Sequence, residues 1–491
     1  MPLSECPAEL LDMIFNDIYF LGELDDVERT SVIRLMVCSK RLYEAGARRL
    51  YRHVVGVHDE KLRLFARSVA ENPDLRALVT YLWFGKRSDD IDRHKLPQHS
   101  IFDCEMMIDE DGTPACIKKR HTWSWLAAQK NSFWHTLAIL IFLLPNLRKL
   151  TLPNARKKDP GDYRKFVRLI DGIVTLQRMN GEVPTPLHAL QEVIICDSSG
   201  DWELDDDDYH AEHGCSQNRV LRIVCINIIA SFSGLKSIQS IEVAFSKVFR
   251  STGLQKDEKP LKLLKLNSCK MNDLHLIALL QSIPNIKEFQ YETPRDHESC
   301  HNLRCFWEVV KTLSPIKHCL ENLLIFTEEW QLEADEPTPE RMGTLVDFTA
   351  LHTLECVGVS MGLTLLDVND DPLLQLADIL PPSLRSLRLV ARDWFVSRKS
   401  LLRPDEVEER RNFLLQINNL LNEKWVRVPK LEVICIDLGQ PVPCYCHGGE
   451  YCDNTCPAMQ SQPEFLEFAE ACLLRGIRCV FYESRCRVAR V

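Results

Sequence analysis

A short apolar phrase, Leu-x-x-Leu-x-Leu with conservative exchanges, returns nine times between Leu147 and Ile436. The copies begin at Leu147, Leu190, Ile238, Leu261, Ile286, Leu320, Leu351, Leu384 and Leu431. In each copy the last two apolar positions flank one other residue. That period of two predicts a short strand with both apolar side chains on one face. Between copies the period changes to that of a helix. Leu274, Ile277, Ala278 and Leu280 share one face of a helix predicted over Asp273–Ile283. Further helices are predicted over Asn218–Phe232, Leu303–Leu313, Pro404–Lys424 and Glu464–Leu474. Pro145, Pro284, Pro382 and Pro429 stand just before a copy, where proline ends a helix and forces extended backbone. The fold class is therefore α/β, with short parallel strands alternating with helices. An ordinary α/β domain alternates in the same way. Nine returns of one phrase favour a repeat array, whose units bury their apolar faces against neighbours.

The spacing is irregular. Copies at 238, 261 and 286 lie 23 and 25 residues apart, but those at 147 and 190 are separated by 43, and those at 384 and 431 by 47. Insertions therefore interrupt the array. In phrase and in the tighter spacings it resembles a leucine-rich repeat. The last unit ends in a predicted strand, Ile477–Tyr482, after Gly476 at the position where a glycine terminates a helix.

Before the array, the chain opens on two amphipathic segments. Pro7 suits the first turn of a helix, where its missing N–H costs nothing. Leu10, Leu11, Ile14, Phe15 and Ile18 then share one face. Val32, Leu35, Met36 and Leu42 form a second apolar side opposite Lys40 and Arg41. Segments this short bury little surface alone, so they dock either on another chain or on the body of their own.

Cys6-Pro7-Ala8-Glu9-Leu10-Leu11-Asp12-Met13-Ile14-Phe15 and Arg34-Leu35-Met36-Val37-Cys38-Ser39-Lys40-Arg41-Leu42-Tyr43 resemble an F-box. The segment Ala47–Val54 is similar to the stretch just after the box in fungal members. Cys6 stands where the family has leucine, and Gly22–Thr30 is longer than the common gap. The irregular array resembles those found after fungal F-boxes. This resemblance implies an N-terminal helical F-box at 1–55, a connecting segment with a polar insertion at 56–122, and an irregular leucine-rich-repeat-like solenoid at 123–491. It implies the substrate-recognition subunit of a cullin–RING ubiquitin ligase. Pro7, Leu10, Leu11, Ile14, Leu35, Val37 and Leu42 would contact a Skp-type adaptor, and through it a cullin. The repeats would hold a protein substrate of unknown identity, and the chain would have no catalytic residue. The alternative is a ligase-independent scaffold whose opening helices only cap the array.

The net charge of −10 on 491 residues argues against non-specific nucleic-acid binding, which needs a basic footprint. The longest apolar run, Leu137–Leu144, is far short of the roughly 20 residues of a membrane span. It predicts a buried helix ending at Pro145. The first 20 residues lack the basic start and apolar core of a secretory signal. A cytoplasmic or nuclear location is expected, with the 20 cysteines mostly free thiols. Cys444, Cys446, His447, Cys452 and Cys456 cluster in one Gly- and Pro-rich stretch. Zinc takes such ligands, but these spacings differ from the usual Cys-x2-Cys knuckle, so unpaired loop thiols are expected and no cofactor. Asp205–Asp208 and the basic groups Lys118–His121 and Arg156–Lys158 are expected to be solvated loops. No phosphate-cradling Gly-rich loop, Gly-x-Ser-x-Gly elbow or His-Glu-x-x-His is present.

Overall fold

In the computed structural model, the residues described are 7, 10–11, 34, 36–54, 59–84, 133–153, 160–179, 185–196, 223–244, 247–249, 261–269, 271–292, 306–326, 344–357, 375–390, 404–437 and 463–482. They belong to two compact units, Met1–Ser246 and Lys247–Val491, a division the repeat pattern does not mark.

In the first unit α1 (Lys40–Arg52) runs straight into β1 (His53–Val54). Then come α2 (Asp59–Glu71), α3 (Pro73–Leu78), β2 (Tyr81–Trp83), α4 (Phe133–Leu143), β3 (Lys149–Pro153), α5 (Pro160–Met179), β4 (Glu192–Cys196), β5 (Ile223–Cys225), α6 (Ile226–Ser233) and β6 (Ser240–Ala244). The strands β1, β2, β3, β4 and β6 pair in that order, all parallel. The helix expected over Asn218–Phe232 begins only at Ile226, because Ile223–Cys225 is extended. Two of those three residues are β-branched, which suits a strand better than a helix.

The second unit carries β7 (Lys247–Phe249), β8 (Leu263–Asn267), α7 (Asp273–Ser282), β9 (Glu288–Glu292), α8 (Phe306–Thr312), β10 (Asn322–Phe326), β11 (Thr353–Val357), α9 (Leu376–Ile379), β12 (Ser386–Val390), α10 (Pro404–Arg427), β13 (Val433–Asp437), α11 (Pro463–Leu474) and β14 (Arg478–Tyr482). Here β8 to β14 pair in sequence order, all parallel.

All nine copies of the phrase occupy the same structural place. The strand starts two residues after the first apolar residue, and the first, fourth and sixth positions are buried. In the copy at 320 these are Leu320, Leu323 and Ile325, none with accessible surface. The backbone just before each strand repeats a second pattern. One carbonyl accepts two consecutive N–H groups from the next copy. His352 O takes Arg385 N at 2.8 Å and Ser386 N at 2.9 Å, and Arg385 O takes Glu432 N and Val433 N at 2.8 and 3.0 Å.

The helices obey the same logic. α4 is apolar on all sides and is buried, as a core helix should be. Its Trp134 packs on Phe166 of α5 with ring centroids 5.2 Å apart. At the end of α6 the chain comes so close to α5 that a Cβ on Gly234 would lie 2.8 Å from Val174 Cγ1. α7 starts at Asn272, whose side chain accepts His275 N at 2.8 Å and so satisfies a free N–H of the first turn. α11 ends at Gly476 with φ +68°, a left-handed conformation that glycine adopts without strain.

Candidate docking surface

In the opening segment Leu10 and Leu11 are helical. Leu11 N donates to Pro7 O at 3.1 Å. Farther on, Met36 and Leu42, expected on one apolar side, are separated by a turn at Val37 and Cys38, after which α1 starts. The physical reason is Ser39. Its hydroxyl accepts Leu42 N at 3.1 Å, so it caps a new helix and does not continue an old one.

Leu11, Met36, Leu42 and Ala47 pack into one small cluster, with Ala45 and Leu50 against it. Of the seven residues expected to meet an adaptor, Leu11 and Leu42 therefore lie inside this cluster. Pro7 is exposed, and Leu10 and Val37 keep 43% and 79% of their surface open. Ile14 and Leu35 lie outside the described residues. Tyr43, half open to solvent, joins the outward apolar set, and its four-residue spacing from Ser39 places it on the first turn of α1.

The segment is tied to the sheet after it. Thr80 donates to Arg52 O through both its N–H, at 3.0 Å, and its hydroxyl, at 3.1 Å. Tyr51 stacks on Phe65 of α2 at 6.2 Å, and His53 meets the Tyr81 ring edge-on at 6.1 Å. The two-residue strand β1 is too short to show an alternating pattern in the sequence.

A second surface is the outward side of the strands, which carries the residues between the buried apolar positions. In the first unit Tyr81, Lys149 and Glu192 lie side by side in register. Lys149 Nζ sits 3.0 Å from Glu192 and 5.4 Å from the centre of the Tyr81 ring. In the second unit Leu324, Glu355, Arg388, Cys435 and Val480 form one such row. Arg388 lies 3.2 Å from Glu355, whose side chain is only 10% exposed. A carboxylate so poorly solvated needs its partner charge. Burial pushes the neighbouring Cys435 thiol up, although Arg388 acts in the opposite direction. This thiol is therefore not primed as a nucleophile.

The phrase also hides a signal that its leucines mask. The residue just before the first apolar position can reach back to the preceding unit. Asn146 Nδ2 donates to Ala77 O at 2.7 Å, and the Ser237 hydroxyl reaches Leu190 O at 2.7 Å. Ser383 reaches Leu351 O at 2.7 Å, and Cys319 Sγ lies 2.9 Å from Pro284 O. In the sequence two of these residues simply come after a proline; in the structure they join one unit to the next.

Among the described residues no group of His, Cys, Asp and Glu is arranged to hold a metal, and no helix is long and apolar enough to cross a membrane. The candidates Cys444, Cys446, His447, Cys452 and Cys456 lie outside the described residues, as do Asp205–Asp208, Lys118–His121 and Arg156–Lys158. A scan against protein-family models finds no match to the chain, and a search of curated proteins finds none either.

Proposed function

We propose that this chain is the substrate-recognition subunit of a cullin–RING ubiquitin ligase. In this reading the opening helices are an F-box that docks a Skp-type adaptor, and the parallel α/β units are a leucine-rich-repeat-like array that holds a protein substrate. One observation carries the reading. The opening segment has a core of its own in Leu11, Met36, Leu42 and Ala47, yet leaves Leu10, Val37 and Tyr43 facing solvent. Apolar side chains in that setting suit a helix-in-groove contact with a foreign chain. The chain would supply no catalytic group. Holding substrate beside the loaded partner enzyme makes transfer effectively intramolecular, which is where the rate gain arises.

The test separates contact from core. Leu10→Asp combined with Val37→Asp should abolish co-purification of the adaptor while the thermal unfolding of the chain is unchanged. Undiminished co-purification discards the docking reading. A second reading has its own support. The carbonyl of Arg52 at the end of α1 is held by Thr80, and Tyr51 packs on α2, so the helices also fit a cap that closes the first strand of a free-standing scaffold. That reading predicts no adaptor in purifications of the wild-type chain.

A further inference from the structure

The last turns of α10 and α11 carry four apolar side chains that are mostly in water. Trp425 is 67% exposed, Val426 81%, Leu473 75% and Leu474 79%. The two helix ends are fastened to each other. Lys424 Nζ donates to Arg475 O at 2.9 Å, and Arg475 Nη2 donates to Asn422 Oδ1 at 2.6 Å. Lys424 Nζ also lies 4.4 Å from the centre of the Trp425 ring. These bonds bring the two pairs of open side chains to one place on the second unit. Exposure this high means that they stand out from the surface and do not line a groove.

The charge around them has a sign. Lys424, Arg427, Lys430, Arg475 and Arg478 stand against the carboxylates of Asp378, Glu423 and Glu432, on a chain whose net charge is −10. Arg427 holds two of those carboxylates, Asp378 at 3.0 Å and Glu423 at 3.5 Å. Glu432 acts on Lys424. The printed hydrogen bonds of Lys424 and Arg475 go to neutral oxygens, those of Arg475 O, Ala471 O and Asn422 Oδ1, which cancel no charge. Lys430 and Arg478 are exposed. The rim of the apolar cluster is therefore positive on a negative molecule.

We propose that this end of the second unit is a peripheral contact for an anionic lipid bilayer. Trp425, Val426, Leu473 and Leu474 enter the headgroup region, and the positive rim meets the lipid phosphates and carboxylates. A tryptophan with a cation over its ring, set among aliphatic side chains, has the apolar body and polar edge that suit the membrane–water boundary. A second copy of the chain suits the site less, because it would set the positive rim against itself. The contact lies on the membrane, and no helix among the described residues is long and apolar enough to cross one.

The test uses the full chain and vesicles of equal parts phosphatidylcholine and phosphatidylserine. The chain should co-sediment with them, less so as salt is raised, and hardly at all with phosphatidylcholine alone. Trp425→Ala combined with Leu474→Ser should weaken binding about tenfold or more. The urea midpoint should not move, since both side chains are mostly in water. Lys430→Glu combined with Arg478→Glu should weaken it about tenfold as well. Leu274→Ser, at a site 64% exposed on α7, should leave binding as it is. Absence of co-sedimentation overturns the inference, as does binding that survives Trp425→Ala with Leu474→Ser or falls equally in Leu274→Ser. Sedimentation velocity without vesicles addresses the other occupant. A dimer that Trp425→Ala with Leu474→Ser dissolves would assign the cluster to a second copy and overturn the inference too. The inference does not rest on the ligase reading, and adaptor co-purification should be the same in every one of these variants.

Discussion

The opening segment and the repeated strands handle apolar side chains in opposite ways. Each copy of the phrase sends three apolar residues inward and leaves them essentially no surface. The opening segment gathers four buried residues and turns Leu10, Val37 and Tyr43 outward. At the three phrase positions the strands bury every apolar residue, whereas the opening segment leaves some of its own open. A residue buried on all sides in a parallel sheet has no spare surface to offer a partner, whereas Leu10, Val37 and Tyr43 keep theirs open.

The contrast is broken most directly at Leu323. It lies in β10 between β9 and β11 and is fully buried, so Leu323→Ala should cost about 2–5 kcal/mol, read from the shift in urea midpoint. Leu11→Ala should fall at the lower end of that range, because the four-residue cluster can collapse around the loss. Equal costs at the two sites would mean that the opening segment is as firmly packed as the repeats, and the distinction would fail.

The next effect concerns how one unit is fastened to another. Ser383 is buried and its hydroxyl reaches both Leu351 O at 2.7 Å and Phe348 O at 3.2 Å. Ser383→Ala leaves those carbonyls short of a donor and should cost about 1–3 kcal/mol. Ser237→Ala, which faces Leu190 O and Leu187 O in the same way, should behave alike. Urea midpoints that do not move in either variant would show that the backbone pairs before each strand suffice. Asn272→Ala, which removes only the cap of α7, should cost about 1 kcal/mol by the same measurement.

What could be read in advance depended on how local the cause was. The phrase is a local pattern with one structural answer, and all nine copies became strands with the expected face inward. Pro145, Gly476 and the apolar run of α4 act through backbone geometry or burial alone and were legible too. The small residues before the phrase were not, because Ser237 and Ser383 meet carbonyls 47 and 32 residues earlier, and no short window contains both partners. At the candidate docking surface the helical period placed Leu10 and Leu11 on one face, but only packing decides which is core. Between Met36 and Leu42 the serine at 39 caps a new helix, a break that apolar periodicity by itself does not mark.

The smallest expected effect tests that last distinction. Leu10 keeps 43% of its surface open and Leu11 keeps 1%, although they are neighbours in the chain. Leu10→Ala removes side-chain surface that is largely in water already, so stability should change by less than about 0.5 kcal/mol. Val37→Ala should be as mild for the same reason, since Val37 is 79% open. The two residues would then be free to vary for any purpose except contact with a partner. A clear loss of stability in either single variant would place it in the core of the opening segment, and the outward apolar set on which the proposed docking rests would lose that member.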